Sequence, residues 1–157
     1  MSKFEEGLKA IDKLCGNNKD NVISLSTIST DLSANGLPQP CTRDVDAYYE
    51  DGVFYVVTWG ESNKIRQIAM NNAVAFSVNF GGIYGVGVGE NLGWVLDPKN
   101  AELREKLRTV FAAWYDIANN EDNENCVILA IRMTKTTVNI DHGAVYYALD
   151  FVNKSEG

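Results

Sequence analysis

The chain has 157 residues, a formal net charge of −7, 45% hydrophobic and 22% charged residues. That is one ordinary globular domain with enough apolar material for a core. The acidic balance excludes a nucleic-acid surface or an anionic membrane as the main partner, so any anion site must draw on a local cluster of cations. Cys15, Cys41 and Cys126 are odd in number and lack C-x-x-C spacing, and His142 is the only histidine. The cysteines read as reduced apolar side chains. No metal site is expected, nor histidine-based catalysis.

Residues 3–15 put Phe4, Leu8, Ile11 and Leu14 on one stripe among charged residues, an amphipathic helix closed by Gly16 at C′. Residues 22–28 mix β-branched residues with serines, as a half-buried strand does. Residues 29–40, with Asn35-Gly36 and two prolines, read as a loop or open turn, and 41–49 as the next strand. Asp51-Gly52 suits a two-residue hairpin turn. Val53 to Thr58 follows with strand composition. Ser62 stands at a helix N-cap ahead of Ile65, Ile68 and Ala69, and 74–80 resumes as a strand.

The helix start at Ser62 is the candidate site. Its first amides and the positive end of its dipole suit an anion such as a phosphate. Lys64 and Arg66 add charge, and Arg43 reaches the same region if its strand lies beside Val53–Thr58. The plainer alternative is a capping serine with solvated cations.

Gly81 to Gly93 carries six glycines. It matches neither the dinucleotide fingerprint nor a P-loop, so it reads as strands 83–88 and 92–96 curved by glycine. Asp97-Pro98 opens a helix whose apolar face runs Leu103, Leu107, Val110, Phe111, Trp114 and Ile117, ending near Ala118. After a polar loop, 126–140 is a long strand apolar on both faces at its start. Asp141-His142-Gly143 turns into a last strand, 144–152, and 153–157 is a frayed tail. His142 reads as a surface residue. No run reaches transmembrane length and the charged start is no signal peptide, so a cytoplasmic location is expected.

About seven strands and three helices, joined mostly by short turns, make a mainly β (α+β) chain. An antiparallel closed or split β-barrel with helices at its edges fits best.

Over roughly residues 20–150, order and local pattern resemble the pyridoxamine 5′-phosphate oxidase-like flavoproteins, which have an FMN-binding split β-barrel. The resemblance is carried by Arg43-Asp44-Val45, by Asp51-Gly52-Val53-Phe54-Tyr55, and by Thr58-Trp59-Gly60-Glu61-Ser62-Asn63-Lys64. It implies that Arg43, Lys64 and Ser62 hold the FMN phosphate. Arg43 to Val45, with Val57 and Thr58, would lie along the ribityl chain and ring, with Asn63 and Gln67 nearby. It also implies a homodimer with flavin at the interface, where Phe80, Tyr84 or Trp94 could stack; in the plainer reading these three are core aromatics.

Asn63 stands where authentic oxidases commonly carry a second basic residue, and Ala73 where members often have proline. The C-terminal tryptophan and arginine that hold pyridoxal phosphate are missing, so vitamin B6 oxidation does not follow. The expected function is a small FMN-dependent oxidoreductase, using an electron donor or small-molecule substrate that the residues do not name. The alternatives are a flavin-binding sensor without turnover and a haem-binding relative.

Overall fold

Asp51 and Gly52 both take positive φ, 49° and 80°. They make the tight turn between β2 (Pro38–Glu50) and β3 (Val53–Trp59) that their chemistry suits. A computed structural model describes residues 1–157. In it β1 (Asn21–Leu32) pairs antiparallel with β2 from Asn21↔Ala47 to Leu32↔Pro38. The loop expected over 29–40 therefore shrinks to 33–37. There Ser33 N donates to Leu37 O at 2.8 Å, and Gly36 adopts φ 78°. Both strands run on through polar residues because ladder pairing, not burial, holds their outer ends.

β4 (Ala73–Val78) lies between β1 and β5 (Ile83–Trp94), and β5 lies along β6 (Cys126–Ile140). The first half of β6 pairs with β3, from Val53↔Arg132 to Trp59↔Cys126. The strand order β3-β2-β1-β4-β5-β6 thus closes into a six-stranded antiparallel barrel. The second half of β6 pairs with β7 (Val145–Asp150), and β8 (Ser155–Glu156) adds to β7. The barrel splits where Met133 N donates to Gly52 O at 3.0 Å and Phe151 N to Thr134 O at 2.9 Å. The tail expected to fray instead forms β8.

The glycine-dense stretch is one strand, β5, with register shifts rather than a break. A Cβ on Gly85 or Gly87 would lie 2.1 or 2.2 Å from the carbonyl oxygen of Lys135 or Arg132. No larger residue lets β5 and β6 approach this closely, so glycine here serves curvature.

Helix α1 (Lys3–Cys15) begins with a reciprocal cap: Ser2 Oγ accepts from Glu5 N at 3.1 Å, and Glu5 Oε2 from Ser2 N at 2.8 Å. Phe4, Ile11 and Cys15 are buried on the barrel interior. Gly16 ends the helix in an extended conformation, and the left-handed residues are Asn17 and Asn18. Helix α2 (Asn63–Met70) inserts Ile65 and Ile68 into the same core, near the opposite end of β1.

The helix expected from Asp97 to Ala118 is interrupted. Asp97 caps a single 3-10 turn, α3 spans Ala101–Val110, and α4 spans Tyr115–Ala118. The break rotates the face: Tyr115 is 1% exposed, whereas Ile117 is 88% exposed. These helices build a second core on the outside of β3 and β6, where Leu107, Phe111 and Tyr115 cover Val57 and Ile128. This is why the start of β6 is apolar on both faces. The count is therefore eight strands and four α-helices. No helix is long and apolar enough to cross a membrane.

Glu121 ties the outer layer down. Arg104 donates to both of its carboxylate oxygens (2.8 and 2.7 Å) and Tyr115 Oη donates at 2.8 Å, while its backbone oxygen accepts from Trp94 Nε1. Chiefly through Arg104, the Glu121 carboxyl is held well below its ordinary value, at about 2. Stability from this depressed pKa is present above the ordinary glutamate range and is lost as pH falls toward 2. We expect Glu121→Gln to lower stability at pH 7 by about 2 kcal/mol. Urea denaturation at several pH values checks this: the deficit should shrink toward pH 3.

Candidate functional site

Inward-facing positions alternate along each strand. Ile23, Leu25 and Thr27 share that register on β1, Arg43 shares it with Ala47 and Tyr49 on β2, and Thr58 with Phe54 and Val56 on β3. The pairing brings Thr27, Arg43 and Thr58 to one end of the barrel, beside the start of α2. Arg43 Nη1 donates to Thr27 Oγ1 at 2.6 Å, and Nη2 to Gln67 Oε1 at 3.0 Å. Thr27 Oγ1 is also hydrogen-bonded to Gln67. Lys64 Nζ donates to Thr58 Oγ1 at 2.7 Å and lies 3.5 Å from Ser62 Oγ. Ser62 holds the N-cap backbone position, but its side chain makes no capping bond.

Every partner of these two cations is neutral. Neither Arg43 nor Lys64 takes part in an ion pair with a carboxylate. Burial pulls the Lys64 ammonium below its ordinary value, and the nearby Arg43 charge pulls it further. Burial also lowers Arg43. Two partly buried cations that repel each other are a standing cost for the free protein, and an anion between them would relieve it. The first amides of α2, from Asn63 and Lys64, have no acceptor within the helix and add to the positive field.

Lys64 opens onto a cavity of about 300 Å³, lined among others by Val45, Asp46, Val57, Thr58 and Trp114. Val45, Val57, Thr58 and Lys64 thus meet around one space, with Arg43, Ser62 and Gln67 beside them. Asp44 points to the outer face of β2, where its Oδ1 accepts from Ser24 Oγ at 2.7 Å. Asn63 is exposed, as is Arg66. Phe80 and Tyr84 are exposed rather than core aromatics, and Trp94 packs with the outer core.

Thr27 and Asp46 carry no expectation from the sequence, and Trp114 is expected only on an apolar helix face, not at the cavity. A threonine in line with Ile23 and Leu25 was a signal, because a buried hydroxyl needs a partner. Asp46 and Trp114 gave none, since they reach the cavity through the outer layer.

No family model matches the sequence, and no curated protein matches it. Solved structures do. A protein from Clostridium acetobutylicum related to general stress protein 26, of the pyridoxinephosphate oxidase family, is 13% identical with a TM-score of 0.60, over 98% of this chain and 99% of that one. An FAD-binding protein from Mesorhizobium loti is 19% identical with a TM-score of 0.56, over 82% and 90%. A heme-binding protein from Mycobacterium smegmatis is 15% identical with a TM-score of 0.65, over 96% of this chain and 58% of that one. The chain therefore shares the split-barrel fold of these pyridoxamine 5′-phosphate oxidase-like proteins.

Proposed function

We propose that the chain binds FMN and serves as a small flavin-dependent oxidoreductase. The observation that carries this reading is the pair Arg43 and Lys64: partly buried, mutually repelling, and bonded only to neutral groups. In this arrangement Lys64, Ser62 and the first amides of α2 hold the phosphate. Arg43 supplies the second charge, its guanidinium aimed by Thr27 and Gln67. Thr58 orients the Lys64 ammonium and lies with Val45 and Val57 along the wall that would face the ribityl chain. The flavin, once bound, supplies hydride or electron transfer, which no side chain here provides.

A cavity of about 300 Å³ is at the small end for a ligand site, so one chain would enclose only part of a flavin. Trp59, 45% exposed at the cavity, leaves apolar surface there for another chain. Both facts support a homodimer that shares the flavin. A small-molecule electron donor or substrate would then approach the uncovered ring face. Haem is less well served, because His142, the only histidine, lies in a separate surface cleft with Phe80 and Asn139.

The test is the visible absorption spectrum of the purified protein, before and after reconstitution, with analysis of what denaturation releases. A two-band flavin spectrum and released FMN are expected. NAD(P)H bleaching would then separate turnover from simple storage. A Soret band, or a colourless protein that takes up no added FMN, would overturn the reading.

A further inference from the structure

Asp46 and Asp20 face each other on the outer side of the β1–β2 ladder. Val22 pairs with Asp46 and Asn21 with Ala47, so Asp20, just before β1, is the diagonal neighbour of Asp46 on one face. Asp20 Oδ2 accepts from Trp114 Nε1 at 2.8 Å, while Asp20 Oδ1 is buried and lacks a donor. Asp46 lines the cavity that Lys64 enters, and Trp114 lines it too. Neither carboxylate forms an ion pair with Lys64 or any other cation. The remaining neighbours on that wall, Thr58, Trp59 and Asn119, are uncharged.

We infer that Asp46 holds a proton against the orphaned Asp20 oxygen and forms a proton-holding wall of the cavity, which takes up a proton when an anionic ligand docks at Lys64. A proton on Asp46 gives the orphaned Asp20 oxygen a donor. Without it, two negative charges are neighbours and the one indole N–H, from Trp114, goes to Asp20. Burial first, then the contact with Asp20, pushes the Asp46 carboxyl up to about 6. The protonated pair carries one charge and the ionised pair two, so a docked phosphate favours the protonated form. Affinity for an anion therefore falls as pH rises through the Asp46 midpoint.

The ligand half of this inference rests on the proposed phosphate site; the Asp46 proton does not. The first experiment is a carboxyl ¹³C NMR titration of the ligand-free protein. Asp46 should titrate near 6, and Asp20→Asn should move it down toward the ordinary aspartate range near 4 without reaching it, because its burial remains. An ordinary midpoint for Asp46 in the parent protein would overturn the inference.

The second experiment measures FMN affinity at pH 5 and pH 7.5 for the parent and Asp46→Asn, with calorimetry in two buffers to count protons. The second ionisation of the phosphate, near 6, acts in the opposite sense but is common to both proteins. Relative to the variant, the parent should lose about fivefold in affinity across this range. It should also take up protons that the variant does not. Identical pH profiles would overturn the coupling to ligand. A parent protein that binds no FMN would overturn the phosphate-site reading, while the NMR titration still decides the Asp46 proton.

Discussion

Replacing Arg43 and Lys64 together by alanine is expected to weaken FMN binding by about 100-fold or more, with little change in thermal stability. Each side chain offers a charged donor to the phosphate, and a hydrogen bond to a charged group contributes about 1.5–3 kcal/mol. Two of them give at least about 3 kcal/mol, or two decades in affinity. The stability half is the sharper part. Thr27 and Gln67 remain bonded to each other without Arg43, and Thr58 is partly exposed. What is removed is a pair of desolvated, mutually repelling charges. Fluorescence titration with FMN and with riboflavin, beside thermal melts, checks both halves. Riboflavin affinity should change little because it lacks the phosphate. A large loss of stability with FMN affinity intact would make the two cations structural instead.

Phe54→Ala should have the largest effect on stability, about 3–5 kcal/mol. Phe54 is fully buried and meets Tyr49 and Phe76 edge-on, with ring centroids 5.5 and 5.6 Å away. It also pairs with Ile131 across the seam that closes the barrel. Truncation therefore opens a void touching three strands that cannot collapse without breaking the ladder. Phe80→Ala is the contrast: that ring is fully exposed at φ 58°, and its loss should stay within about 0.5 kcal/mol. Urea denaturation of both variants tests the pair.

Local chemistry made some elements legible in the sequence. The bounds 3–15 of α1 follow from one apolar stripe and a sharp polar boundary, and Asp51-Gly52 announces its turn. The continuity of 126–140 follows from unbroken β-branched and apolar residues. What stayed hidden depended on partners far away in the chain. β1 and β2 outrun their apolar segments because each supplies the other's hydrogen bonds. The interruption at 111–114 has no glycine or proline to mark it; packing of Tyr115 under Glu121 holds the shifted helix. β8 has no signature because its pairing with β7 is entirely long-range. The candidate site divides the same way. Ser62, Lys64 and Arg43 stood out by residue type and helix position, whereas Asp20 and Asp46 become neighbours only through the β1–β2 register, and Trp114 joins them only once the outer helices dock.

The double partnership of β6 governs the order in which the chain can organise itself. One edge of β6 belongs to β5 and the other is shared by β3 and β7. Joining β3 to β6 closes a loop from Gly60 to Asn125, an entropic cost that must be met before the seam gains any contacts. Folding should therefore be slow for this length, with the seam among the last parts to form. Once formed, the amides of 128–131 can exchange with solvent only when the whole barrel opens, while the 33–37 turn and the short α2 open on their own. Lys64 thus sits on a segment free to breathe, while Arg43 sits on a barrel strand that moves only when the molecule unfolds.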